Sequence, residues 1–260
     1  MKPKFSKETT AAIKAALEAA KISMDYFNKD KKIREKSARN LVTIADVECE
    51  KKIKDMLAKA FPDYGFLGEE SGRVGKGSKF WAVDPIDGTH NYSARIPIFC
   101  HSIALVGGKM PILGVVYDPI RKEMYIAEKG KGAYLNNEKI HVSERNLLKD
   151  CIVGTGFPYS GGIKRENTLK SVSNLVGDTL GFRRMGSAAL DLCYVASGLF
   201  DAIFFYELQP WDIAAGMLLV EEAGGMTTDI NGKQANVFSG HFASSNSVIH
   251  AKLLEKLVRM

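Results

Sequence analysis

Nowhere in this 260-residue chain is there an apolar run near the roughly 18 residues that span a bilayer as a helix. The N-terminus, Met1-Lys2-Pro3-Lys4-Phe5-Ser6, lacks the apolar centre of a secretory signal. Lys14, Glu18 and Lys21 break up the alanine-rich stretch that follows. These absences predict a cytoplasmic protein with no membrane partner. Cysteine is scarce, and Cys49, Cys100, Cys151 and Cys193 form no C-x-x-C pair. That excludes a zinc ribbon and a thioredoxin-type redox site, and predicts four reduced thiols filling core volume. Five scattered histidines with no H-E-x-x-H speak against a His-built metal site. No G-x-S-x-G elbow occurs, and the loop Gly72–Ser78 puts Ser78 where a phosphate-binding loop needs lysine. Gly154-Thr155-Gly156 has no third glycine at dinucleotide spacing. Internal repeats and low-complexity linkers are missing as well.

What remains is a globular composition, 45% hydrophobic and 25% charged. The length predicts one large domain or two lobes sharing a core. The net charge of +6 is concentrated at one end: residues 1–60 hold 15 Lys/Arg against 9 Asp/Glu. No aromatic interleaving accompanies these charges, which argues against nucleic acid and leaves a solvated face or a small anionic ligand.

Ser6 is placed to cap a helix reaching about Asn28, with Ile13, Leu17, Ala20, Met24 and Phe27 as its apolar stripe. A basic connector over 29–40 leads to a second helix, from about Thr43 to Phe61, with Ile53, Met56, Leu57 and Ala60 facing inward. Short strands follow at Phe80–Val83, Ser102–Val106, Leu113–Tyr117, Glu123–Glu128 and Ile140–Val142, spaced as an antiparallel meander. Beyond 150, Cys151–Thr155 and Ala202–Phe205 read as strands; Ile163–Val176, Ser187–Ser197 and Asp212–Ala223 read as helices. The expected organisation is an α+β N-terminal lobe over 1–145 and a C-terminal lobe over 146–260, packed as one unit.

The acidic residues carry the chemistry. The strand Phe80–Val83 runs into Asp84-Pro85-Ile86-Asp87-Gly88-Thr89, which brings two carboxylates to one mouth of a sheet. Pro85 cannot continue the ladder, so the chain bends there. Gly88 permits close backbone approach, and an ordinary polar turn is the competing explanation. Glu69 and Glu70 end another apolar segment, and Asp212 sits in the first turn of an apolar helix, where the dipole favours an anion in any case. Asp46 fits a capping box with Thr43. Glu69, Asp84, Asp87 and Asp212 make an all-oxygen set of the type that Mg²⁺ or Mn²⁺ prefers.

Together, Gly68-Glu69-Glu70-Ser71, Trp81–Thr89 and Trp211–Gly216 resemble the signature of the inositol monophosphatase family, in a superfamily shared with fructose bisphosphatases and nucleotide phosphatases. Gly186-Ser187-Ala188-Ala189 and Glu222-Ala223-Gly224-Gly225 fit as well, and the order agrees from about residue 6 to residue 250. The resemblance implies a layered αβαβα fold and Mg²⁺-dependent hydrolysis of a phosphate monoester, with Mn²⁺ as a substitute. It implies Glu69, Asp84, Asp87, Asp212 and the Ile86 carbonyl as metal ligands, and Glu70 beside a metal-bound water. Asp46 and Thr89 match the pair that orients and deprotonates the attacking water. Asp87, Gly88, Thr89 and Asp212 match positions that meet the phosphate or substrate, and Gly186, Ser187 and Ala188 a stretch that touches the sugar or inositol ring. Lys36 matches a loop that closes over the site, and the family suggests a homodimer.

Two departures bear on the substrate. His90-Asn91-Tyr92 stands where inositol enzymes usually carry Thr-Asn-Phe, and Asn91 argues against the adenosine bisphosphate branch. Phe205 occupies the position of the usual substrate-contacting glutamate, and Glu207 lies two residues nearer Asp212, in a shortened loop. Inositol 1-phosphate is the expected substrate. Fructose 1,6-bisphosphate, histidinol phosphate and adenosine 3′,5′-bisphosphate are the alternatives within the class. A regulator binding RNA or protein through residues 29–39 is the alternative outside it.

Overall fold

The Ser6 hydroxyl accepts the Thr9 N–H at 3.1 Å and so caps helix α1 (Lys7–Phe27). In the computed structural model, the described residues are 4–27, 33–37, 40–75 and 77–260. After α1 come β1 (Ile33–Ser37), β2 (Asn40–Thr43) and α2 (Ile44–Ala60). A run of strands then begins with β3 (Gly65–Gly68), β4 (Gly72–Val74) and β5 (Lys79–Asp87). The short helix α3 (Thr89–Ser93) precedes β6 (Cys100–Gly107), β7 (Met110–Asp118), β8 (Glu123–Glu128), β9 (Gly132–Leu135) and β10 (Glu138–Ile140). The remainder alternates: β11 (Ile152–Thr155), α4 (Gly162–Val176), β12 (Gly181–Arg183), α5 (Ala188–Ala196), β13 (Ala202–Phe205), α6 (Pro210–Glu222), β14 (Gly225–Thr228), β15 (Phe242–Asn246) and α7 (His250–Lys256).

The strands form an eight-stranded sheet in the order β10-β9-β8-β7-β6-β5-β3-β4, a five-stranded sheet in the order β12-β11-β13-β15-β14, and the ribbon β1-β2. From β5 to β10 the large sheet is the expected antiparallel meander; β3 joins it parallel to β5. Three apolar clusters fix the layers. One joins α1 and α2 to the large sheet, a second fills the space between the two sheets around α5 and α6, and a third lies between the small sheet, α4 and α7. The result is the αβαβα sandwich. Gly114 shows how tightly the middle layers meet: a Cβ there would stand 2.6 Å from the Ala215 carbonyl on α6. All four cysteines are buried and unbridged. No described helix is long and apolar enough to cross a membrane.

The α1 stripe differs from expectation. Ala12, Ala15, Ala16 and Ala19 are fully buried, whereas Leu17 is 40% exposed and Ile13 and Met24 only partly covered. Small side chains bring this helix close to α2 and the sheet, so its larger apolar residues ride at the edges of the contact. On α2, Ile53 and Leu57 are buried as expected; the buried face extends toward the N-terminal end through Cys49 and Glu50, while Met56 is half-buried and Ala60 exposed. Within the connector over 29–40, β1 pairs antiparallel with β2, which begins at the connector's last residue. Lys36 falls on β1, not in a loop, and its side chain, like residues 29–32, 38 and 39, lies outside what is described.

Candidate active site

β5 alternates, with Phe80 and Ala82 facing α5 and α6, and Trp81, Val83 and Ile86 facing α1 and α2. In a regular strand, residues three apart point to opposite faces. Asp84 and Asp87 would then be separated by the sheet. A β-bulge prevents this: Asp84 pairs with Ser102 and Asp87 with Cys100, so one extra residue on β5 is absorbed at Pro85-Ile86. Both carboxylates therefore reach the α5/α6 side. Immediately afterwards Gly88 turns the chain at φ +99°, where a Cβ would meet the Ile98 carbonyl at 2.9 Å.

Glu69, Asp84, Asp87 and Asp212 line one cavity of about 620 Å³, which Ile86, Gly88 and Thr89 also border. Asp212 reaches it from the first turn of α6, where its Oδ2 accepts the Gln209 N–H at 2.7 Å. The Asp87 Oδ2 accepts the Ser187 hydroxyl at 2.7 Å and the Ala189 N–H at 2.6 Å, at the start of α5. Asp84 accepts the Ile86 N–H at 3.0 Å. Burial pushes the Asp84 carboxyl well above its ordinary range, and the charges of Glu69, Asp87, Asp212 and Asp46 push it further. Burial and the Asp87 charge raise Asp212 in the same way. Asp87 is also raised by burial, and the hydrogen bonds from α5 partly offset this.

No lysine or arginine pairs with Asp84, Asp87 or Asp212 among the described residues. Nor do three Asp, Glu, His or Cys groups converge there as a closed ligand cage. Like-charged carboxyls this close raise one another's proton affinity, as Asp84, Asp87 and Asp212 do. The donor chemistry nonetheless suits a hard divalent cation: buried and half-buried carboxylate oxygens gathered on one open cavity.

Two further expected residues meet directly. The Thr89 hydroxyl lies 3.1 Å from the fully buried Asp46 Oδ1 and 3.0 Å from the Ile86 carbonyl, while Asp46 Oδ2 accepts the Thr43 N–H at 2.8 Å. Gly186, Ser187 and Ala188 border the cavity, with the Ser187 side chain bonded to Asp87. Glu207 also borders it, held by Lys164 Nζ at 2.7 Å and by the Ser160 hydroxyl at 2.6 Å. Burial alone would raise the Glu207 carboxyl; these two partners outweigh it and lower it. Phe205 lines the same wall. Glu70 stands apart from the cavity lining.

Glu50 was not anticipated. Its buried carboxylate accepts the Glu70 N–H at 2.7 Å and the Ser71 N–H at 2.8 Å, which fixes the turn beyond Glu69. The spacing could have revealed it, since Glu50 follows Asp46 by four residues and shares its helix face. The outer wall was equally unforeseen: His90 stacks on Tyr159 with ring centroids 5.0 Å apart, and nothing local in either segment marks that contact.

The family model for the inositol monophosphatase family matches residues 5–260. A Nus factor SuhB from Pasteurella multocida is 39% identical over 251 residues, covering 95% of this chain and 94% of that protein. A fructose-1,6-bisphosphatase/inositol-1-monophosphatase from Aquifex aeolicus is 42% identical over 222 residues, covering 82% of each. The crystal structure of the extragenic suppressor protein suhB from Bartonella henselae superposes with a TM-score of 0.93 at 37% identity, covering 98% of this chain and 99% of that one.

Proposed function

The chain belongs to the inositol monophosphatase family, and from that premise we propose that it hydrolyses a phosphate monoester, inositol 1-phosphate foremost, with Mg²⁺ or Mn²⁺ as cofactor. One observation carries this reading: Asp84 and Asp87, buried, and Asp212, half-buried, meet at one cavity with no lysine or arginine paired to them among the described residues, beside the Thr89–Asp46 hydrogen bond. Glu69, Asp84, Asp87, Asp212 and the Ile86 carbonyl would hold the cation. When bound, it supplies neutralisation of the phosphate oxygens and a water of lowered pKa. Asp46 then serves as the candidate general base, taking the attacking water's proton through the Thr89 hydroxyl. Asp46 is fully buried and bonded to Thr43 and Thr89, so the pair is oriented before substrate arrives. The Gly88 and Thr89 N–H groups receive phosphate oxygens, and Glu70 holds a water through its position next to Glu69. Gly186, Ser187 and Ala188 face the polyol.

Two features favour a second substrate, fructose 1,6-bisphosphate. The cavity of about 620 Å³ is roomy, and Glu207 is engaged by Lys164 and Ser160 instead of reaching freely toward a sugar hydroxyl. The same reading carries a homodimer and a cytoplasmic setting.

The test is phosphate release by metal-stripped protein with and without Mg²⁺, offering inositol 1-phosphate, fructose 1,6-bisphosphate, histidinol phosphate and adenosine 3′,5′-bisphosphate in parallel. Mg²⁺-dependent turnover of the first is expected. No turnover of any ester, from protein that binds Mn²⁺, overturns the assignment of a sugar- or polyol-phosphate phosphatase.

A further inference from the structure

The bulge that brings Asp84 and Asp87 to one face leaves Pro85 and Ile86 without pairing partners on β6. Such a loss of ladder bonds normally loosens a strand. Pro85 has no N–H to give, and its carbonyl points away from the cavity, to the α1 side of the sheet. There the His101 imidazole meets it: Nδ1 donates to the Pro85 carbonyl at 2.5 Å. A carbonyl can only accept, so Nδ1 carries the proton and Nε2 is left as an acceptor. Nε2 lies 2.9 Å from the Ser23 hydroxyl on α1. His101 is fully buried, and burial lowers its pKa to about 4, so the ring stays neutral and keeps this tautomer at physiological pH. Ser23 is itself anchored, since its carbonyl accepts the Tyr92 hydroxyl at 2.7 Å. Tyr92 belongs to α3, which follows the bend directly. A closed set of contacts thus runs from the bend through His101 and Ser23 to Tyr92 and back to the chain after the bend.

The geometry points to His101 as a positioning residue: from the far side of the sheet it pins the bulged Pro85 carbonyl and thereby holds Asp84 and Asp87 on a common face of β5. It touches neither substrate nor cation. This inference rests on the proposed function only where a cation is concerned; the clamp itself is a property of the chain.

The experiment uses the full chain with His101→Leu, which keeps volume but has no donor, and His101→Asn, whose amide can reach the position of Nδ1. Hydrogen exchange of peptides spanning residues 84–90 is measured first, with α4 peptides as the internal reference. His101→Leu should speed exchange at the bend about tenfold and leave α4 unchanged; His101→Asn should stay near wild type. Mn²⁺ binding, followed by loss of the free-ion electron paramagnetic signal, should weaken about tenfold in His101→Leu and much less in His101→Asn. Unchanged exchange and Mn²⁺ affinity in folded His101→Leu overturn the inference. So does a folded His101→Asn that fails at the bend, because the donor would then be irrelevant. That second arm decides alone if His101→Leu does not fold. Wild-type protein that binds no Mn²⁺ defeats the metal reading instead, and the exchange arm still rules on the clamp.

Discussion

Carboxylates are buried both at the cavity and at the seam around Asp201, but they are treated in opposite ways. At the seam every oxygen is answered. Asp201 Oδ1 accepts the Ser143 hydroxyl at 2.5 Å and Arg145 Nη1 at 2.9 Å, and Oδ2 accepts the Ile152 N–H at 2.7 Å. Asn246 closes the arrangement by donating to Ser143 and to the Arg145 carbonyl. At the cavity, Asp84 has a neighbouring N–H and another carboxyl, and four surrounding acids raise its proton affinity. A buried charge with its donors and counter-ion holds structure together; a buried charge left without a counter-ion costs stability and is kept for a ligand. On the proposed function, the contrast separates the acids that build the molecule from those that work in it.

The sharpest test exchanges one acid in each region. Asp84→Asn should lower turnover about 10³-fold by removing charge that faces the phosphate and its cation. It should also raise the melting temperature, since a neutral amide escapes the repulsion at that position. Phosphate release and thermal unfolding on the same sample check both; a destabilised Asp84→Asn would erase the contrast. Asp46→Asn comes next, with turnover down about 10²-fold and Mn²⁺ affinity nearly unchanged, because the proposed function gives this acid a proton to move and no ion to hold. A parallel loss of ion affinity would make Asp46 a ligand. Asp201→Asn should do the reverse of Asp84→Asn: about 2 kcal/mol of stability lost in urea, with kcat intact. Glu50→Gln falls between the two regions. It should leave folding nearly unaffected while weakening Mn²⁺ binding several-fold, because the turn beyond Glu69 loses its charged anchor.

The legible part of the site was the part written into backbone chemistry. Asp-Pro-Ile-Asp-Gly-Thr announces a bend with two acids, and the strands Glu123–Glu128 and Ala202–Phe205 stand where their apolar runs predicted. What the spacing could not show was the bulge. By period alone, Asp84 and Asp87 belong on opposite faces, and only pairing with β6 reveals that they do not. His101 was invisible for the same reason, because its partner Pro85 is brought near by that pairing. β15 was missed because Phe242-Ala243-Ser244-Ser245-Asn246 has no apolar alternation. It is buried by virtue of its hydroxyl partners, such as Thr227 beside Ser244 and His250 beside Ser245. On α1, the sequence invited a stripe of large residues, yet close packing favoured the alanines.

The smallest expected effect concerns a further buried acid, Glu128, which belongs with the structural group. It accepts the Ser6 N–H at 2.6 Å and is bonded to the Thr9 hydroxyl and the Lys131 ammonium, tying the start of α1 to β8. Burial alone would raise its pKa; the bonds from Lys131, Ser6 and Thr9 outweigh that and bring it down to about 2. The folded state therefore binds this proton less readily than the unfolded chain does. Its stabilisation is complete above the ordinary glutamate range and is lost as pH falls from about 4.5 through about 2. Burial also holds His101 and His250 down to about 4, so they add acid sensitivity at higher pH, from about 6.5 to about 4. That contribution is common to wild type and Glu128→Gln and cancels between them. Urea midpoints of the two proteins should differ most at pH 6, and the gap should narrow as pH falls from about 4.5 toward about 2. A gap as wide at pH 2.5 as at pH 6 would mean that Glu128 acts through packing, and that the structural acids are held by shape more than by charge.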